Sequence, residues 1–299
     1  MSWSCPVCGS TAGVPAFAVP TSGGECGITG TAFRPSADAF GSTSGEVVRC
    51  RQCGHGSVKE APQDDDLAEA YSDAADPVSV REEAGQVETG RRACAFVERH
   101  LPRGTFLDVG CWTGSLVAAA NERGWNASGI EPSQWASERA RERGLDVRTT
   151  DLDHHGAASE SMQLVAACDV LEHLVDPGEG LDKMRDLVVP GGGVFITVPD
   201  AGSRLARLTG RRWWSVLPMH LQYFTRDSMS TMLTNHGFKV LAVTTHAKVF
   251  TARYYAERLG GYSAALEKVL VGAVAGVGQA NRLVAPDFRD RMAVVAARV

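Results

Sequence analysis

The strongest constraint on the fold is a regular alternation of apolar runs and segments of helical spacing across residues 91–200. The apolar runs are TFLDVG (105–110), NASGIEPS (126–133), LDVRTTD (145–151), MQLVAACDV (162–170) and GGVFITVPD (192–200). The helical segments are RRACAFVERHL (91–101), GSLVAAANERG (114–124), QWASERARERG (134–144) and PGEGLDKMRDLV (177–188). This alternation predicts an α/β fold with helices on both faces of a mostly parallel sheet. Ligands bind at the carboxyl ends of the strands in such sheets.

The pattern continues towards the C-terminus. Residues 227–246 read as a helix that stops at Gly237 and is followed by a strand. Residues 251–283 read as helices, and residues 290–299 as a closing strand. The apolar tract VLVGAVAGV (269–277) is too short to cross a bilayer, so we expect a buried or subunit-packing helix.

Carboxylates stand at the ends of two successive predicted strands. Asp108 precedes the turn VGCWTG (109–114), and Glu131 ends the next strand. In dinucleotide sites an acid on the second strand holds the ribose hydroxyls. However, Asp108 would repel a pyrophosphate, and the turn lacks the G-x-G-x-x-G pattern. These residues favour a nucleoside ligand with positive charge, such as S-adenosylmethionine, over NAD.

Four pieces carry a specific resemblance: LDVGCWTG (107–114), GIEPS (129–133), DVLEHLVDPG (169–178) and PGGGVFITVPD (190–200). Together they resemble class I S-adenosylmethionine-dependent methyltransferases over about residues 91–245, with a last strand at 291–298 that the resemblance places antiparallel at the edge of the sheet. The resemblance implies a Rossmann-like sheet and these cofactor contacts: Asp108, Gly110 and Gly114 at the methionine part, Glu131 at the ribose hydroxyls, Asp151 or Leu152 at the adenine, and the loop that begins at Asp169 beneath the methyl group.

Trp112 stands where this family usually has glycine. Gly110 and Gly114 remain, and we expect those two positions alone to need unusual backbone angles. Trp112 would then be an ordinary loop residue. Its side chain could pack over the cofactor or between the loop and a lid, and the alternative is that it fills a gap beside the N-terminal module.

Two matching cysteine pairs, CPVCG (5–9) and CRQCG (50–54), lie in the first 60 residues. Each places two thiolates on a tight turn, with Gly9 or Gly54 to take a positive φ. Two such turns facing each other suit a structural, tetrahedral zinc ion. The predicted ligands are Cys5, Cys8, Cys50 and Cys53, whereas Cys26 is expected to be a spare.

These observations divide the chain into three parts. Residues 1–60 would form a small zinc-ribbon-like module, and residues 61–90 an acidic, solvated linker with a helix near residues 67–71 that could also serve as a lid. Residues 91–299 would form the methyltransferase domain, in which an insertion at about 201–228 covers the acceptor pocket.

The proton-accepting residues are expected beside the methyl donor. Methyl transfer to a hydroxyl needs a base, and histidine titrates near neutral pH. His173 follows the fourth strand, with Glu172 beside it to orient it, orient the substrate or bind a divalent ion. His220 lies in the insertion RRWWSVLPMHLQYFTRDSM (211–229) and is the other candidate base. An apolar pocket with few polar groups is typical of small-molecule sites, and the predicted substrate-binding residues are Trp213, Trp214, Tyr223 and Arg212.

The cysteine pairs narrow the resemblance to zinc-containing methyltransferases of sugar and natural-product pathways. The preferred acceptor is a hydroxyl of a sugar or natural product. C-methylation of a nucleotide-linked deoxysugar is an alternative, although the enzymes that do it carry a further large domain. An rRNA or tRNA methyltransferase with a zinc module is a second alternative. The third is a non-catalytic module that keeps the cofactor fold for partner contacts, which the intact acids and glycines disfavour.

Composition limits the partners. A net charge of −5 disfavours nucleic acid, and a chain with 44% hydrophobic and 22% charged residues is ordinary for a soluble protein. The sequence opens without a secretion signal, so we expect a cytoplasmic protein that does not enter a membrane. Its partner would be a small-molecule substrate, and the C-terminal helices could mediate oligomerisation.

Overall fold

The computed structural model describes residues 3–17, 40–62 and 64–299, with the side chains of 64–66 left out. Cys26 lies outside the described residues, as does most of the segment between the cysteine pairs. The larger sheet has the order β10-β13-β8-β7-β4-β5-β6. Its strands are β4 (Thr105–Val109), β5 (Asn126–Glu131), β6 (Val147–Thr149), β7 (Met162–Cys168), β8 (Val188–Pro199), β10 (Phe238–Thr245) and β13 (Arg291–Arg298).

Strands β4 to β8 pair in parallel, and helices cover both faces of the sheet. Successive residues of β4 point to opposite faces, so Leu107 joins one core cluster and Phe106 the other. The helices on the Phe106 side are α3 (Glu83–Val97), α4 (Ser115–Glu122) and α5 (Gln134–Glu142), and those on the Leu107 side are α6 (Pro177–Leu187) and α8 (Arg226–Asn235). The predicted α/β fold is confirmed.

The position predicted for the last strand is wrong. Strand β13 is antiparallel as expected, but it lies between β8 and β10 rather than at the edge. Residues 292–296 of β13 are buried, and a strand covered in this way needs a hydrogen-bonded neighbour on each side. Strand β10 is mostly half-buried and forms the edge instead.

The segment predicted to be a solvated linker is folded and packed. It contains α1 (Asp64–Ser72) and α2 (Pro77–Arg81), and α3 begins at Glu83, before the predicted domain boundary at residue 91. Leu67, Ala70 and Ala74 are buried against the insertion that follows β8. Leu67, Ala70 and Ala74 are three and four positions apart, so they form one buried face on α1 and the turn after it. The acidic composition of the segment as a whole did not predict this face.

The N-terminal residues share the core of the larger sheet. Strands β1 (Gly13–Pro15), β2 (Val47–Cys50) and β3 (Gly56–Val58) form a smaller sheet, which β9 (Gln222–Tyr223) completes by pairing with β3. Cys5 and Val7 pack in the same core cluster as Leu107. The N-terminal module is therefore joined to the segment that was predicted to cover the acceptor.

The remaining α-helices and β-strands of the described residues all lie after β8. They are α7 (Arg204–Thr209), β11 (Phe250–Thr251), α9 (Ala252–Glu257), α10 (Ala264–Gly276) and β12 (Leu283–Val284). Helix α10 buries none of its residues, so the expectation of a buried helix is wrong, and subunit packing stays a prediction. Within the described ranges, no helix combines the length and apolarity needed to cross a membrane.

Candidate active site

One cavity of about 1520 Å³ opens at the carboxyl edge of the larger sheet. The loops after β4, β5, β7 and β10 form its floor, and α1, α3 and the C-terminal segments form its walls. It collects predicted cofactor and catalytic residues from distant parts of the sequence: Asp108, Gly110, Trp112, Glu131, Asp151, Asp169, Glu172, His173 and His220.

The turn after β4 brings Asp108 and Gly110 to the cavity. Asp108 is buried, and its Oδ1 has no hydrogen-bond partner among the described residues. Burial, followed by the nearby Glu131 carboxylate, raises the pKa of Asp108 well above its usual range. Gly110 has a φ of +66°, and a Cβ there would lie 2.8 Å from Val170 Cγ2. A cationic ligand group would satisfy the buried acid, whereas a phosphate would not.

Trp112 differs from the sequence expectation. It adopts a φ of +50°, so it shares the left-handed backbone of Gly110 and is not an ordinary loop residue. Its indole Nε1 donates to Ser79 Oγ at 2.9 Å, and its ring lies 5.6 Å from that of Trp135. Trp112 therefore links the turn after β4, which we call the cofactor turn, to α2 at the rim of the cavity.

Glu131 is held in place by backbone groups. Trp112 N donates to its Oε2 at 2.8 Å, and Ser133 N donates to its Oε1 at 2.8 Å. Burial raises the pKa of Glu131 to about 7. Each oxygen retains a second lone pair that could accept a hydroxyl hydrogen bond. Asp151 lies further out, where its Oδ1 pairs with His154 Nδ1 at 2.8 Å.

The structure places two further predicted cofactor residues, Gly114 and Asp169, in different surroundings. Gly114 lies outside the cavity at the start of α4, where its φ is +76° and a Cβ would lie 2.6 Å from Leu145 Cδ1. It permits close packing and does not line the site. Asp169 does reach the cavity, but its carboxylate forms ion pairs with Lys248 and Arg291.

Glu172, His173 and His220 form one cluster, which we call the Glu-His-His cluster; Glu172 and His220 are buried and His173 is half-buried. Glu172 and His173 belong to a short 3-10 helix after β7, and His220 comes from the insertion. The peptide of Leu221 N donates to Glu172 O at 2.7 Å and fixes the insertion against this helix. One potential ligand atom from each residue lies within 4.8 Å of the others.

Both imidazoles of the cluster have a defined tautomer. His173 Nδ1 lies 3.1 Å from Met219 O, and His220 Nδ1 lies 2.8 Å from Ser215 O. Because a carbonyl only accepts, each Nδ1 carries the proton and each Nε2 carries the lone pair. Burial lowers the pKa of His220 to about 4 and that of His173 well below its usual value, so both rings are neutral at pH 7.

The predicted substrate residues separate into two groups. Trp214 lines the cavity, where its ring lies 5.0 Å from that of Phe288. The other three lie outside it. Trp213 is 1% exposed and donates from Nε1 to Asp290 Oδ2 at 2.8 Å, so it is a core residue. Tyr223 is buried in β9 as part of the smaller sheet, and Arg212 is exposed.

Sequence analysis missed two residues of the cavity: Tyr71 comes from the supposed linker, and Lys248 from the loop after β10. Tyr254 and Tyr255 of α9 also line the cavity. One signal was present for Lys248: a cation directly after a strand that ends at the carboxyl edge. Tyr71 was missed because residues 61–90 were predicted to be mainly a solvated linker.

The four predicted zinc ligands come together. Cys5 Sγ lies 3.5 Å from Cys53 Sγ, and Cys8 Sγ lies 3.6 Å from Cys50 Sγ. A zinc tetrahedron with bonds of about 2.3 Å has edges of about 3.8 Å, so these thiols fit the ion. Gly9 and Gly54 have φ values of +69° and +76°, which confirms the expected turns.

Comparison with known proteins identifies the family. Residues 84–243, more than half of the chain, match the family Methyltransf_23, described as a methyltransferase domain. The chain belongs to this methyltransferase family. A ubiquinone biosynthesis O-methyltransferase of Aeromonas salmonicida is 33% identical over 98 residues, which cover 30% of this chain and 41% of that protein. One of Hydrogenovibrio crunogenus is 32% identical over 100 residues, which cover 31% and 42%.

The chain therefore spans about two fifths of the length of these curated relatives. Among solved structures, a complex of the Haloferax volcanii Trm112 methyltransferase activator with a methyltransferase matches with a TM-score of 0.50 at 13% identity. That match covers 72% of this chain and 93% of the other. It shows a common fold. The predicted class I methyltransferase is thus confirmed as to family and fold.

Proposed function

We propose that this methyltransferase moves the methyl group of S-adenosylmethionine to a hydroxyl of a small molecule, such as a sugar or natural product. The observation that carries the proposal is the Glu-His-His cluster. It places two neutral imidazoles in the same cavity as the buried acids Asp108 and Glu131. A site for a cationic methyl donor and groups that can take up a proton thus share one cavity.

The two acids support the cofactor. Asp108 would accept from the α-amino group of S-adenosylmethionine, and Glu131 would accept from the ribose hydroxyls. Trp112 would line this part of the site. Its backbone N–H donates to Glu131 and so holds that carboxylate in place. Asp151 would lie near the adenine.

The remaining space supports a small-molecule acceptor. A typical ligand pocket has about 300–1,000 Å³, and the cavity of about 1520 Å³ has room for a cofactor and an acceptor together. Aromatic side chains line the acceptor part: Trp214, Tyr254, Tyr255 and Phe288. Aromatic faces suit sugar rings and planar natural products alike.

Proton removal completes the reaction. As the hydroxyl oxygen attacks the methyl carbon, the carbon–sulfur bond breaks and the sulfonium becomes a neutral thioether. The hydroxyl proton must pass to a neighbouring acceptor, and Nε2 of His220 or His173 has the lone pair for it. Loss of such a base lowers the rate about 10²–10⁴-fold.

The zinc ion would be structural. Four thiolates leave no open coordination position, so it would stabilise the N-terminal module and not take part in methyl transfer.

Transfer of a labelled methyl group tests the proposal. Purified protein would be offered sugar nucleotides, glycosylated metabolites, phenolic natural products and bulk RNA. We expect label in a hydroxyl of a small molecule, and a strong loss with His220→Ala or His173→Ala. His155→Ala is the matched control, because His155 lies outside the cavity. Label in RNA alone, or full activity of both cluster variants, would refute the proposed reaction.

A further inference from the structure

The Glu-His-His cluster has the composition and spacing of a metal site. One ligand atom from each of Glu172, His173 and His220 lies within 4.8 Å of the others. Nitrogen and oxygen ligands bind zinc at about 2.0–2.2 Å, so two ligands of one ion lie at most about 4.4 Å apart. Binding of an ion would draw the three ligand atoms slightly closer together.

The imidazoles are already held as ligands usually are. A metal-binding histidine generally donates its other ring N–H to a carboxylate or backbone carbonyl, which fixes the tautomer and the ring direction. Met219 O and Ser215 O take these positions for His173 and His220.

Glu172 supplies the independent observation. It is 1% exposed, and neither carboxylate oxygen has a hydrogen-bond partner in the described part of the chain. A buried carboxylate in this condition is costly, and protonation does not remove the cost, because the new O–H would also need an acceptor. A bound cation would satisfy Glu172 directly.

We propose that Glu172, His173 and His220 together bind one divalent transition-metal ion in the acceptor cavity. Two imidazoles and one carboxylate suit zinc, cobalt, iron(II) or manganese(II), whereas magnesium and calcium prefer all-oxygen sites. Three protein ligands leave at least one coordination position open. The cysteine-rich site, by contrast, has four thiol ligands.

This inference rests on the proposed function and refines its proton transfer. The ion would act as a Lewis acid that makes the acceptor hydroxyl easier to deprotonate, and the proton would pass to solvent. The deprotonated oxygen would then attack the methyl carbon as the carbon–sulfur bond breaks. With the ion bound, His173 and His220 are ligands and do not themselves take up the proton.

Cobalt(II) separates the two metal sites of the chain optically. Thiolate ligands at Cys5, Cys8, Cys50 and Cys53 produce sulfur-to-metal charge transfer, and imidazole and carboxylate ligands do not. We expect metal-free protein to take up two equivalents of cobalt(II), of which only one shows the sulfur band. The second equivalent should add weaker bands of the metal alone.

Three variants assign the second equivalent. Glu172→Gln and His220→Ala should each lose it and keep the first. His246→Gln is the matched control, because it removes a half-buried imidazole from the same cavity but not from the cluster. It should keep both equivalents. Circular dichroism and the retained sulfur band verify that each variant is folded, and Glu172→Gln keeps the size of the side chain.

The titration uses cobalt(II) alone and needs no acceptor, so its result is independent of the methyl-transfer assay. A single equivalent in the wild type would overturn the metal site. So would a second equivalent that persists in both Glu172→Gln and His220→Ala. In either case methyl transfer with an imidazole base would still stand, and only a failed transfer assay would remove it.

Discussion

At the scale of single residues, the most informative position is Trp112. A left-handed backbone costs a non-glycine residue about 1–2 kcal/mol, and Trp112 takes a φ of +50°. Its indole bonds to Ser79, and its backbone N–H bonds to Glu131. The side chain thus ties α2 to the cofactor turn, and these contacts offset the backbone cost.

Substitution at Trp112 can separate the two contributions. Trp112→Gly and Trp112→Ala both lose the indole contacts and should both be less stable than the wild type. Glycine relieves the backbone strain and alanine does not, although alanine loses less chain entropy on folding. We therefore expect the glycine variant to be more stable than the alanine variant by about 0.5–1 kcal/mol. Urea unfolding measures the difference, and equal stability or a more stable alanine variant would contradict the assigned backbone.

At the scale of elements, the smaller sheet connects the cysteine site to the Glu-His-His cluster. Strand β3 pairs with β9, and His55 Nε2 lies 3.0 Å from Gln222 Oε1. Gln222 Nε2 donates in turn to Leu174 O at 3.0 Å and to Val175 O at 3.1 Å, directly after the Glu-His-His cluster. The N-terminal module therefore supports the loop that carries Glu172.

Loss of one of the four clustered cysteines should loosen this connection. In Cys8→Ser we expect faster amide hydrogen exchange in residues 47–58 and 219–224, because the β3–β9 pairing depends on the module. Strands β4 and β5 should exchange as in the wild type, since their hydrogen bonds lie within the larger sheet. Exchange followed by mass spectrometry gives the comparison, with Cys168→Ser as a cysteine control outside the cluster. Changes confined to residues 3–17 would argue against the connection.

At the scale of the whole molecule, the cavity concentrates buried acids whose ionisation opposes folding. Burial raises the pKa of Glu131 from its usual 4.5 to about 7, and it raises that of Asp108 as well. The folded state therefore holds these protons more tightly than the unfolded state. The stability that Glu131 contributes is complete below pH 4.5 and is lost as the pH rises through about 7.

Glu131→Gln should flatten this dependence. A shift of one pKa unit corresponds to about 1.4 kcal/mol, so the wild type should lose at most about 3 kcal/mol more than the variant between pH 4.5 and 8. The buried histidines act in the opposite direction below pH 6.5, but both proteins carry them. Urea unfolding across this range measures the difference, and the exposed Glu142→Gln should follow the wild type. Parallel curves for Glu131→Gln and the wild type would show that Glu131 titrates normally.

The sequence by itself determined the α/β order and most of the strands of the larger sheet. Apolar runs that end in acids and glycines predict strands and turns, because strand periodicity and backbone freedom depend on residues that are close in sequence. The sequence also predicted the four cysteines as one site, because paired turns have a short-range signature. The prediction for residues 61–90 was wrong. The segment is acidic and its buried residues include small alanines, so its composition resembled that of a solvated linker.

Only the tertiary structure decided how separate segments meet. Trp213 and Trp214 are adjacent and identical in sequence, yet one is core and the other lines the cavity. His220 reaches Glu172 through backbone pairing of the insertion, and β9 completes a sheet that begins near the N-terminus. These contacts depend on long-range packing and hydrogen bonding. Local sequence patterns do not predict which distant surface a side chain will contact.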